Sequence, residues 1–92
     1  MDKITKEKLE KYFNISQEAF EMAKKNPGKN KKYFDDFIDM ISRYISDAKH
    51  FYKKDDYVNA FAALNYAHGW LDAGARLGIF DVNHDSTLFT VD

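Results

Sequence analysis

Ninety-two residues, 45% of them apolar and 16% aromatic, suffice for one domain with a real core and leave no room for a second. The lack of cysteine rules out disulfides and thiolate sites. The charged opening MDKITKEKLEK is unlike a secretory signal, and no apolar run nears the roughly 18 residues of a membrane span, so the chain reads as cytoplasmic with no membrane association. A net charge of −1 conceals an uneven spread: residues 1–32 hold nine lysines against five acids, and residues 57–92 one arginine against four. Such asymmetry steers anionic partners, but it equally describes solubilising lysine on exposed helix, and the second reading is adopted.

Hydrophobic spacing predicts three helices. The first starts near Asp2 or Thr5 and runs to Lys25, with Leu9, Phe13, Phe20 and Ala23 on one face, flanked by Tyr12 and Ala19 and widened by Ile15 and Met22. Asn26, Pro27 and Gly28 break it. The second runs from about Lys31 to Lys53 through Phe34, Phe37, Ile38, Ile41, Tyr44, Ile45, Ala48, Phe51 and Tyr52. Its acids Asp35, Asp36 and Asp39 stand in the first turns and Lys49, Lys53 and Lys54 in the last, as the helix dipole prefers. A link as short as Lys54–Asp56 makes the second and third helices antiparallel neighbours. Ala48, Phe51, Ala60, Leu64 and Ala67 fall at spacings similar to those of a tetratricopeptide helix pair, but a single copy is no solenoid.

The third helix follows Asp56, an N-cap, and ends before Gly78, a C′ glycine, with Gly69 and Gly74 inside it. On a helical wheel it carries two apolar stripes. Tyr57, Phe61, Leu64, Leu71 and Ala75 form one, with His68 and Asp72 as polar intruders. Ala63, Tyr66, Trp70, Ala73 and Leu77 form the other, interrupted by Asn59. An ordinary surface helix has one stripe, so this one needs two covers. The expectation is that Ile79, Phe80 and Val82 fold back over Tyr66 and Trp70, each buried side chain contributing about 1.5–3 kcal/mol before ordering entropy is subtracted. A second copy of the chain is the other candidate cover. The expected fold is all-α, an antiparallel three-helix bundle over residues 1–82 with residues 83–92 as a C-terminal tail, the tail packing on helix 3.

The run Asp56-Tyr57-Val58-Asn59-Ala60-Phe61-Ala62-Ala63, continued by Asn65-Tyr66-Ala67-His68-Gly69-Trp70-Leu71-Asp72-Ala73-Gly74-Ala75-Arg76-Leu77-Gly78 and Phe80-Asp81-Val82, resembles the small archaeal domain of unknown function numbered 357. The likeness weakens over the first two helices. It implies a three-helix bundle, attached in some members to a nucleotidyltransferase-like domain that this chain lacks. It implies no activity.

Asn65, His68, Asp72 and Arg76 share one arc of the third helix, with His68 to Asp72 and Asp72 to Arg76 at the i, i+4 spacing that lets side chains meet. An aspartate orienting a histidine beside an arginine suits a small anion or nucleotide. The same four residues also suit a structural network to the other helices through Tyr12 or Tyr44. The loop from Lys24 to Lys32 holds five lysines but no arginine and no stacking platform, which disfavours nucleic acid. Arg43 and His50 have an R-x6-H spacing reminiscent of a helical nuclease motif, yet both fall on the outer side of the second helix. Asp81, His84 and Asp85 lack a fourth ligand and a scaffold, so no metal is assigned, and no cofactor motif is present. With no complete catalytic set, the sequence reads as a non-enzymatic protein-interaction or oligomerisation module. The expected surface is Tyr66, Trp70 and Phe80, facing a protein partner or a second copy. The alternative is a helical domain binding a small anion, nucleotide or RNA through Asn65, His68, Asp72 and Arg76 and assisting a separate enzyme.

Overall fold

The computed structural model describes residues 4–82. It contains three α-helices of 20 residues each: α1, Lys6–Lys25; α2, Phe34–Lys53; and α3, Tyr57–Arg76. They form the all-α, antiparallel bundle that the spacing predicts. The tail residues 83–92, with Leu88, Phe89 and Val91, lie outside the described residues.

Each helix end has a local cause. The Thr5 hydroxyl accepts the Lys8 N–H at 3.1 Å, so α1 starts at the later of its two expected positions. Asp56 caps α3 by accepting the Asn59 N–H at 3.2 Å and the Asn59 side-chain amide at 2.7 Å. Gly78, at φ +75°, closes α3 in a Schellman motif: the Ile79 N–H donates to the Gly74 carbonyl at 2.8 Å and the Gly78 N–H to the Ala75 carbonyl at 3.3 Å. The same motif closes α2 with a non-glycine residue in the left-handed position. Asp55 takes φ 59° while the Asp56 N–H reaches the Phe51 carbonyl at 2.9 Å. Three linker residues therefore end one helix and start the next.

The alanine spacing between α2 and α3 has its expected effect. Ala48, Ala60 and Ala67 are fully buried, and these two helices share the most extensive interface, α1 and α2 the least. Two apolar clusters fill the bundle. One, near the α2–α3 turn, is built on Leu9, Ala48, Ala60, Ala63 and Leu64. The other, at the opposite end, joins Phe20, Ile41, Ile45 and Leu71 to Ile79, Phe80 and Val82. Ser16 is also buried, a small polar residue on the apolar face of α1 that helical spacing passes over; among the described residues no buried side-chain nitrogen or oxygen lacks a partner.

Two findings correct the expectations. Ile79, Phe80 and Val82 are buried, and Phe80 lies on α3 at Gly74, but the segment does not run back over Tyr66. It pairs instead with the α1–α2 loop. Gly28 N–H donates to the Ile79 carbonyl at 2.8 Å, Asn30 N–H to the Gly78 carbonyl at 3.0 Å, and Asp81 N–H to the Asn26 carbonyl at 2.8 Å. Pro27 and Phe80 form an isolated antiparallel bridge. This strap captures residues 26–30, and α2 accordingly begins at Phe34, three residues after Lys31, behind a turn in which the Phe34 N–H donates to the Lys31 carbonyl at 3.2 Å.

Candidate functional site

The outer faces of the three helices differ in chemistry. The exposed positions of α1 are Lys6, Glu7, Lys8, Glu10, Lys11, Asn14, Glu18, Lys24 and Lys25, all but one charged; α2 exposes Asp35, Asp36, Asp39, Arg43, Asp47, Lys49, His50 and Lys53 besides two serines. α3 exposes Val58, Asn59, Asn65, Tyr66, Gly69, Ala73 and Arg76, followed by Leu77 at its cap. One charge therefore serves the whole outer face of α3. Three of the four large exposed hydrophobics of the described chain lie along it: Val58 at 67%, Tyr66 at 62% and Leu77 at 59%.

Tyr66 stands on the surface because nothing of the strap reaches it. Its ring stacks on Tyr44 of α2, with centroids 5.4 Å apart and planes at 21°, which fixes its direction. Beside it a shallow groove of about 380 Å³ is lined by Phe37, Asn65, Tyr66, Gly69, Trp70 and Ala73. Trp70 is half-covered: Phe37 of α2 lies 4.8 Å away at 75°, and the indole packs against the core cluster that includes Ile79, Phe80 and Val82. Phe80 is corrected outright. At 2% exposure, edge-on to Phe34 and Phe37 at 5.8 and 6.3 Å, it belongs to the core and offers no surface to a partner.

The polar arc lies along another flank of α3. His68 Nε2 is 3.8 Å from Asp72 Oδ2, both side chains about one quarter to one third exposed, an ion pair when the imidazole is protonated. Asn65 and Arg76 are exposed at either end of this arc. Elsewhere, Arg43 donates from Nε to Asp39 at 2.9 Å and His50 is exposed, so the two residues of the nuclease-like spacing stand on the outer side of α2 as read. In the lysine-rich loop, Lys24 is engaged by Glu21 at 3.0 Å and lies over the Phe20 ring, and this ammonium holds the Glu21 carboxyl below its usual range. Of the three residues weighed for a metal, His84 and Asp85 lie outside the described residues.

The family model described as Protein of unknown function (DUF357) matches residues 11–80. The chain belongs to this family. No curated protein and no solved structure matches it. The DUF357 match takes in most of α1, all of α2 and α3, and both sides of the strap as far as Phe80, a wider span than the run from Asp56 in which the likeness is densest. Among the described residues no helix is long and apolar enough to cross a membrane.

Proposed function

We propose that this DUF357 chain is a non-enzymatic interaction module whose working surface is the outer face of α3, centred on Tyr66 with Trp70 at its edge. The observation that carries this reading is the contrast between helices. The outer faces of α1 and α2 are charged, whereas α3 presents Val58, Tyr66 and Leu77 beside one exposed charge. Apolar surface gathered in one place on a small domain favours association, and a tyrosine with a fixed ring is a typical anchor. Photocrosslinking in the cell that makes the protein tests it. A crosslinking residue at Tyr66 should yield one recurring protein adduct, and one at Glu18 on α1 should yield none. Equal adducts at both positions, or none at Tyr66, would reject the reading.

A second reading rests on the partly buried His68–Asp72 pair, with Asn65 and Arg76 along the same arc as ligands for a small anion or nucleotide. A thermal-shift series with inorganic phosphate and nucleoside phosphates separates it from the first: no shift at millimolar concentration removes it.

A further inference from the structure

The outer face of α3 has an internal order. Val58, Ala62, Tyr66, Gly69, Ala73 and Leu77 fall within an arc of about 100°. Read outward from a point between Ala67 and His68, the two halves match by size. Tyr66 on one side answers Gly69 on the other, Ala62 answers Ala73, and Val58 answers Leu77. Gly69 is exposed, with nothing within 4 Å of where a Cβ would be, so it is a hole, and Tyr66, held by Tyr44, is a knob.

We infer that the occupant of this face is a second copy of the same chain, its α3 antiparallel to the first across a two-fold axis near Ala67 and His68. This rests on the interaction reading above and names the partner. Under that symmetry each Tyr66 seats over the other copy's Gly69, small meets small at Ala62 and Ala73, and Val58 meets Leu77 at both ends; an isologous contact requires such self-matching. The charges agree. Arg76, the one exposed charge on the helical face, falls beside Asn59 of the other copy, next to the acidic cap formed by Asp55 and Asp56. Antiparallel helix dipoles attract as well.

From Val58 to Leu77 the helix rises about 28 Å, and a helical face about 10–12 Å wide offers on the order of 300 Å² per copy, a small interface below the usual size of specific ones. The expected dimer is therefore weak and forms only as concentration rises. Because the Tyr66 ring is already stacked, its ordering costs little on association.

Sedimentation of the full chain should show the weight-average mass rising from 10.8 kDa towards twice that value between about 5 and 500 µM. Gly69→Leu, which fills the hole at an exposed position, should weaken the dimer about tenfold or more while circular dichroism stays helical. Because the chain has no cysteine, orientation is readable by oxidation. Val58→Cys mixed with Leu77→Cys should give the mixed disulfide, and Val58→Cys alone should not link to itself. A monomer at every concentration, indifference to Gly69→Leu, or self-linking of Val58→Cys would each overturn the inference. A monomer that still crosslinks from Tyr66 to one different protein would overturn it and leave the interaction reading standing.

Discussion

A Cβ added at Gly74 would lie 2.3 Å from the Phe80 ring, whereas one added at Gly69 would meet nothing within 4 Å. Both glycines stand inside α3 at the same propensity cost, about 0.8–1 kcal/mol against alanine, so one substitution separates helix propensity from packing. Gly69→Ala is expected to raise the unfolding free energy by about that amount. Gly74→Ala, whose methyl must displace a ring enclosed by Phe34 and Phe37, is expected to lower it by about 1–3 kcal/mol. Urea titration at monomeric concentration reads both, and equal effects would contradict the placement of Phe80. The sequence shows two mid-helix glycines and the close approach they suggest. It does not show which of them a neighbour touches, because that depends on where residue 80 returns.

Element boundaries were legible wherever a short-range device sets them. Asp56, Gly78 and the early acids of α2 act within a turn of their own position, and each does what its residue type suggests. The strap was not legible as a strap. Pro27 and Gly28 announce only a break, although Gly28 is there because a Cβ would sit 2.1 Å from the Gly78 carbonyl oxygen. Apolar periodicity likewise shows that α3 has two stripes without saying which finds a cover; α2 supplies Phe37 to Trp70, whereas Tyr66 stacks on Tyr44 and stays largely exposed. Phe80→Ala should remove the strap's anchor, costing about 3–5 kcal/mol. It should also open the Gly28, Asn30 and Asp81 amides to fast hydrogen exchange, whereas retained protection would mean that the backbone bonds hold alone.

Across the whole molecule the least extensive interface, α1 against α2, carries a polar tie. The Tyr52 hydroxyl donates to Glu10 at 2.9 Å beside a groove of about 460 Å³ lined also by Phe13, Asn14, Lys49 and Lys53. Burial first, and then the Glu10 carboxylate, push the Tyr52 hydroxyl up to about 12. A folded value above the unfolded one of about 10 stabilises the fold fully below pH about 10, and that contribution is lost as pH rises through about 12. An ultraviolet titration should therefore find the Tyr52 hydroxyl ionising late. Tyr52→Phe should remove that step and flatten the alkaline loss of stability, and six tyrosines titrating together would contradict the tie.

The pairing of Gly28 with Ile79 joins positions about fifty residues apart, whereas the α2–α3 hairpin closes through three. Loop-closure entropy then sets the expected order of assembly: the alanine-lined hairpin early, α1 next, and the knot between loop and strap last. Damage to that knot should hasten unfolding and leave the refolding rate nearly untouched, so this end of the molecule governs its lifetime more than its speed of formation.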